Sequence, residues 1–269
     1  MKKLTALCAA ILLFMQSTAL AFDFENVFSD TSVQDEVTYK SQNVSVTLTQ
    51  GRQYDADYYV ADIHVKDIAS FRHAFPKGKF NGGVRSLSKM AREENAIVAI
   101  TGDYAVKFGA GIVIAEGKTI REKPNNARDL CVLYKDGSME VLKGKGVTVK
   151  KLNAEKEVWM TMLFGPNLLD KDGMPLQHTN SKIRGKNPRT AVGYVEPGHY
   201  VFVTVDGRSA KNRGMTLLEL SQLMFDLNCR AAYNLDGGQS AAMWFNGAVV
   251  NHPYQGGRQL ADTFYIGEP

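Results

Sequence analysis

The sequence predicts an α+β (mixed α/β) fold: a large mixed β-sheet with helices packed on it, rich in hairpins. Three observations predict it. Strand-like apolar runs outnumber helical ones. Many of those runs come in pairs joined by a glycine-containing turn, and twice a helical pattern feeds straight into an apolar strand, which breaks an all-β reading.

Taken in order, residues 22–40 are acidic and polar and read as a loose lead-in. "VSVTLTQ" (Val44–Gln50) and "YYVADIHV" (Tyr58–Val65) then alternate as half-buried strands do. "VRSLSKMAREEN" places Val84, Leu87, Met90 and Ala91 on one helical face, and "AIVAI" follows at once as a buried strand ending in "TGDY". "GIVIAEGKTI", "CVLYKDGSMEVL" and "AVGYVEPGHYVFVTV" each read as two strands around a turn. The clearest helix runs from Thr216 to Leu227. Thr216 and Glu219 form a capping box, and Leu217, Leu218, Leu220, Leu223, Met224 and Leu227 supply its apolar stripe. It feeds "AAYNL", after which "MWFNGAVV" makes a hairpin at Asn246-Gly247 and "DTFYIG" closes the chain.

The first residues set the expected compartment. Lys2 and Lys3 precede an apolar run too short for a comfortable span, and the run ends in Ala19–Ala21, a small-x-small cleavage pattern. Residues 1–21 are therefore expected to be a removed export signal, with the protein periplasmic or secreted and no membrane contact after cleavage. Cys8 lies inside the run, not at its end, which argues against a lipid anchor. The rest suits one large domain, or a domain with a small N-terminal appendage, with a substantial core. Basic residues (32 Lys and Arg against 28 Asp and Glu) are scattered, which excludes a nucleic-acid-binding face. Cys131 and Cys229 sit beside apolar runs and are expected as buried thiols, although an exported protein permits their pairing.

Three segments share one layout: an apolar run ends, and an Asp with a Gly stands just past it. They hold Asp103 in "AIVAITGDY", Asp206 in "YVFVTVDGRS" and Asp236 in "AAYNLDGGQS". Side chains at strand ends can point into a cleft while the sheet holds them rigid, and converging carboxylates create the acid/base asymmetry of glycosyl chemistry. Asp136-Gly137 and Asp172-Gly173, in lysine-flanked polar loops, read as plain turns. Gly237 and Gly238 permit close backbone approach, and consecutive N–H groups can form an anion nest. Arg189, after Pro188, and Arg208, after Asp206-Gly207, can grip a phosphodiester through paired N–H donors, while Arg208 can equally well pair with its neighbouring carboxylates. A serine hydrolase built on Ser240 is disfavoured. The segment after Ser240 reads as a hairpin where a nucleophile elbow needs a helix, and His252 precedes Asp262. The five histidines show no ligand spacing and no cysteine pair is at zinc spacing, so no metal or cofactor is expected. Ca²⁺ held by Asp and carbonyl oxygens is left as an unspecific option.

The ordered set "TGDY", "LFGPNLLDKDG", "NPRTAVGY", "VDGRS", "GMTLLEL", "NLDGGQSAAM", "NG" and "GRQLADTFYI" resembles the phosphodiester glycosidase family over roughly residues 97–266. The resemblance makes residues 96–269 the catalytic region, and 22–95 its N-terminal strands and helix within the same domain. It implies catalytic roles for Asp236, Asp206 and Asp103, and substrate contacts from Arg189, Thr190, Arg208, Asn234, Gly237, Gly238 and Ser240. The family commonly has a third glycine where Gln239 stands and an asparagine where Thr101 stands. The implied reaction is hydrolysis of a sugar-1-phosphodiester, GlcNAc-1-phosphodiester-like. Asp236 would be the leading base or nucleophile, Asp206 and Asp103 its supporting carboxylates, and the arginines would hold the phosphate. The partner is then a phosphodiester-linked carbohydrate or glycopolymer. The competing reading is a non-catalytic exopolysaccharide-binding or matrix-assembly protein using the same pocket.

Overall fold

The computed structural model describes residues 27–269, so the export signal read at 1–21 lies outside the described residues. Short strands β1 (Val33–Gln34) and β2 (Thr38–Lys40) lead into the long hairpin of β3 (Val44–Gln53) and β4 (Ala56–Val65). Then come β5 (Phe71–Ala74), helix α1 (Leu87–Glu93) and β6 (Val98–Thr101). The middle of the chain holds β7 (Val113–Ala115), β8 (Lys118–Arg121), β9 (Asp129–Tyr134), β10 (Met139–Lys143), the one-turn α2 (Val149–Leu152) and β11 (Val158–Met162). Last are β12 (Arg189–Glu196), β13 (His199–Val205), α3 (Leu217–Asp226), β14 (Ala231–Asn234), β15 (Met243–Phe245), β16 (Ala248–Val249) and β17 (Thr263–Ile266).

Two sheets dominate. A seven-stranded sheet has the order β1-β2-β3-β4-β13-β12-β14, and a five-stranded sheet the order β16-β15-β6-β17-β5. A three-stranded sheet, β10-β9-β11, and the pair β7-β8 complete the set. Among the described residues every strand pairing is antiparallel, so the large sheet is not mixed there as the sequence suggested, and β-structure outweighs the helices. Residues 33–40, read as part of a loose lead-in, are more ordered than expected. Their β1 and β2 extend the edge of the seven-stranded sheet.

The main core lies between the sheets. Val46, Ile63 and Phe202 of the large sheet meet Ile100 and Phe264 of the five-stranded sheet and Leu133 and Met160 of the three-stranded one. Outward-facing Val60, Val203 and Ala232 of the large sheet pack instead under α3, through Leu217, Leu220 and Met224. Helix α3 has its expected capping box at Thr216 and Glu219, an arrangement that contributes about 1 kcal/mol. Leu218, placed on its apolar stripe by the sequence, is exposed. Helix α1 covers the far face of the five-stranded sheet with Leu87, Met90 and Ala91; Val84 lies before its Ser86 N-cap and is exposed. Cys131 and Cys229 are buried free thiols on opposite faces of the large sheet, in separate clusters, and burial pushes the Cys229 thiol up to about 12.

Candidate active site

The loops after β6, β13 and β14 meet at one end of the two sheets. The Asp236 N–H donates to Gly102 O (3.2 Å), tying the end of β14 to the end of β6, and the Asp206 N–H donates to Asp57 O (3.0 Å). Asn251 Nδ2 bridges the rest, donating to Asp206 Oδ1 (3.0 Å) and to Ala241 O (3.2 Å) just past the Asp236 loop. The sequence-predicted convergence of the three strand ends is therefore seen in the backbone. The three carboxyl groups nevertheless sit in three different environments.

Among the described residues, Asp236 is the one of the three whose carboxylate contacts an arginine. Its Oδ1 accepts the Gly237 N–H (3.0 Å); its Oδ2 accepts Ser240 Oγ–H (2.7 Å) and Arg258 Nη2–H (2.6 Å). Arg258 Nε donates to Ser240 Oγ and closes a triangle of carboxylate, hydroxyl and guanidinium. The Asp236 side chain is about one-tenth exposed and that of Arg258 is 41% exposed, so the pair lies at a rim that solvent reaches. Tyr104, in the left-handed region at φ 57°, places its ring 5.5 Å from the Arg258 guanidinium. Thr101 donates to Ser240 O (2.5 Å) and accepts the Ala242 N–H (3.2 Å), holding this turn in place.

Asp103 is 1% exposed and turns inward. Its oxygens accept the N–H groups of Ala105 (2.9 Å) and Leu163 (2.7 Å). Beside it lies Asp262, which accepts from the N–H groups of Asp103 (3.1 Å) and Tyr104 (3.0 Å) and from His73 Nε2 (2.8 Å). Gly102 is required by this contact, because a Cβ there would fall 2.5 Å from Asp262 Cγ. Burial, and then the charge of Asp262, push the Asp103 carboxyl up to about 8; burial pushes His73 down to about 4. Asp262 is raised as well, first by burial, while the donors from residues 103 and 104 pull it back. Oxygen and nitrogen atoms of His73, Asp103 and Asp262 lie within 4.8 Å of one another, a set that could hold a metal ion.

A pH dependence follows. The raised Asp103 carboxyl keeps a proton that the unfolded chain releases above its ordinary value of 3.8. Its contribution to stability is thus full below about pH 4 and is lost as pH rises through about 8. His73 acts on the other limb: its contribution is present above 6.5 and is lost as pH falls through about 4. The variant Asp103→Asn is expected to lack the alkaline fall, so its urea stability measured from pH 5 to 8 should decline less steeply than the wild type's. Parallel curves would contradict the assignment.

The remaining predicted residues divide. Asp206, 2% exposed, accepts from Asn251 Nδ2 and from the His252 N–H (3.0 Å), with His252 Nδ1 at 3.2 Å. Arg208, at φ 61°, is exposed and hydrogen-bonds Asn187 Oδ1 rather than a carboxylate, with its guanidinium 5.4 Å from the Tyr254 ring. It lies directly over Gly238 (φ 63°), whose added Cβ would sit 3.0 Å from Arg208 Nη2. Arg189, expected in the phosphate clamp, faces inward. It is 3% exposed, and its guanidinium donates to the carbonyls of Met215 (2.8 Å), Ile183 (2.7 Å) and Gly185. Burial and then the charge of Arg208 lower it to about 10. Thr190 is fully buried with no partner for its hydroxyl among the described residues, and Asn234 is buried with Nδ2 donating to Gly165 O (2.8 Å). Nor do the paired glycines form an open nest, because Gly237 N–H goes to Asp236 and Gly238 N–H to Pro188 O.

Sequence reasoning gave no role to Arg258 or Asn251, set His73 and His252 aside as metal ligands for want of spacing, and weighed His252 and Asp262 against a serine hydrolase. The available signal was "GGRQLADT": an Arg and an Asp on either side of Gln259-Leu260-Ala261, just before the closing strand.

The sequence profile of phosphodiester glycosidases matches residues 94–267. A prophage-derived uncharacterised protein of Bacillus subtilis, YomE, is 30% identical over 193 residues, which is 68% of this chain and 30% of that protein. Bovine N-acetylglucosamine-1-phosphodiester alpha-N-acetylglucosaminidase is 38% identical over 65 residues, 24% of this chain and 12% of that enzyme. The match thus spans under a third of the length of either curated relative. In fold, the chain is similar to the catalytic domain of the zebrafish N-acetylglucosamine-1-phosphodiester alpha-N-acetylglucosaminidase, auto-inhibited by its pro-peptide. The TM-score is 0.68 at 20% identity, covering 90% of this chain and 87% of that one.

Proposed function

This chain belongs to the phosphodiester glycosidase family, and on that premise we propose that it is an exported hydrolase cleaving the glycosidic C1–O bond of a sugar-1-phosphodiester of the GlcNAc-1-phosphodiester type. One observation carries the reading: Asp236 is a rim-facing carboxylate held by Ser240 and by the partly exposed Arg258, with Arg208 over the adjoining turn. Asp236 takes the proton of the attacking water, or itself attacks C1 to form a glycosyl ester that water then hydrolyses at C1. The C1–O bond breaks and the electron pair leaves with the phosphate monoester. That leaving group carries its charge without needing a strong general acid, so cations matter more than a proton donor. Arg258 and Arg208 supply N–H donors for it. Asp206 acts through Asn251, which bonds both it and the Ala241 carbonyl beside the Asp236 turn. Asp103 and Asp262 set the backbone of residues 102–104, against which the Asp236 loop is bonded. A phosphodiester-linked glycopolymer of a cell envelope or exopolysaccharide has the chemistry of a natural substrate.

The test is incubation with a panel of synthetic sugar-1-phosphodiesters, following free sugar and phosphate monoester together. Equal release of both supports the reading; tight binding with no release would convert it to a binding protein. Ser240 separates this chemistry from a serine hydrolase. Its hydroxyl proton points to Asp236, its oxygen accepts from Arg258, and no histidine is among its partners. Ser240→Ala is therefore expected to lower kcat about 10²-fold by loosening Asp236, leaving substantial turnover. A serine-directed covalent inhibitor is expected to have no effect, and abolished turnover with covalent labelling of Ser240 would contradict the assignment.

A further inference from the structure

We infer that Asp62, His64 and His199 form a binding site for one divalent transition-metal ion of the Zn²⁺ and Cu²⁺ class, separate from the candidate active site. Asp62 and His64 are two residues apart on β4 and share its outward face, since Ala61, Ile63 and Val65 between and beside them point into the main core. His199 opens β13 and stands directly opposite His64 in the ladder, with Val201 opposite Asp62. The antiparallel register thus brings two imidazoles and a carboxylate onto one rigid patch of sheet. The two rings stack with centroids 3.9 Å apart and planes 22° from parallel, and His199 Nε2 lies 2.6 Å from Asp62 Oδ1.

One nitrogen from each ring and one Asp62 oxygen all lie within 4.8 Å of one another. A tetrahedral ion with bonds of about 2.0–2.1 Å needs its donors roughly 3.4 Å apart, and because the in-plane lone pairs of two stacked rings run side by side, one imidazole has to turn out of the stack about its side-chain torsions to meet the ion. Two imidazoles with one carboxylate suit Zn²⁺, Cu²⁺, Co²⁺ or Ni²⁺ and suit the harder Ca²⁺ or Mg²⁺ poorly. Ion entry is open, because the Asp62 side chain is 46% exposed and that of His199 19%. The site lies at the start of β13, whereas Asp206 follows its end, roughly 20 Å away along the strand. An ion there would pin β4 to β13 and take no part in sugar chemistry.

The histidines had shown no ligand spacing along the sequence because the ligands are brought together by the ladder. The test uses chelator-treated full-length protein titrated calorimetrically with ZnCl₂, beside the double variant His64→Ala/His199→Ala, with folding of both checked by circular dichroism in chelator. One equivalent bound by the wild type, with affinity at least about tenfold weaker in the variant, is expected. Unchanged Zn²⁺ binding in the variant, or none in the wild type, overturns the site. Electron paramagnetic resonance of the wild type with one equivalent of CuCl₂ decides the matter even if the variant misfolds. Splitting from two imidazole nitrogens is expected, and a spectrum without nitrogen ligands overturns the proposal.

Discussion

Asp236→Asn is expected to lower kcat on a sugar-1-phosphodiester by about 10³-fold while leaving KM within a few-fold of the wild type. Asparagine keeps the size and shape of the side chain and retains an oxygen that can accept from Ser240 or Arg258, so the loop and the cations stay in place. What it lacks is the basic, nucleophilic oxygen at the rim. An interaction needed only as the C1–O bond breaks shows in kcat rather than in KM. Steady-state release of sugar by the two proteins checks this. A variant rate within tenfold of the wild type would move the catalytic role elsewhere in the cluster, Asp206 first. Arg258 offers an internal control: Arg258→Lys keeps a positive charge but loses the two-point contact to Asp236 and Ser240, so it is expected to raise KM as well as lower kcat.

Asp262→Ala is the largest expected effect on stability, a loss of about 3–5 kcal/mol. The residue is 2% exposed, and its carboxylate receives three N–H donors, from His73 and from the backbone of residues 103 and 104. Truncation strands all three in a dry interior and opens a gap beside Gly102, whose Cα lies close against the Asp262 side chain. Because domains have only about 5–15 kcal/mol in total, the variant stands near the edge of folding. Urea unfolding gives the value directly. Asp262→Asn, which keeps one acceptor, is expected to lose clearly less. A loss below 1 kcal/mol in the alanine variant would mean that the buried cluster does not hold the two sheets' loops as described.

Locally encoded features were legible in the sequence. Helix α3 announced itself through Thr216, Glu219 and its leucines, and the Asn246-Gly247 hairpin through a turn that few other residues permit, with φ of 46° and 97°. Strand partners were not legible. Helix α1 running into β6 reads like a unit of a parallel sheet, yet β6 pairs antiparallel with β15 and β17, both far downstream, and no local pattern carries that information. Strand β5 escaped notice because "FRHA" is short and half polar; its His73 is buried against Phe75 and Phe264 and reaches Asp262 across the sheet. The site followed the same division. Asp103, Asp206 and Asp236 were visible as polar residues at the ends of apolar runs, but the direction each would face was not. Arg189 looked like a phosphate ligand because it follows a proline and precedes a strand; burial under the 183–185 loop gives its guanidinium three carbonyls instead. Arg258 sits in a polar loop with no strand to mark it, and only the tertiary contact with Asp236 shows what it does.

The central claim is that water attacks carbon, not phosphorus. Hydrolysis of a synthetic GlcNAc-1-phosphodiester in water enriched in heavy oxygen, with both products analysed by mass spectrometry, tests it most directly. The heavy atom is expected in the C1 hydroxyl of the released sugar, with the phosphate monoester unlabelled. A heavy oxygen in the phosphate would mean cleavage of the P–O bond, and a phosphodiesterase in place of a glycosidase centred on Asp236.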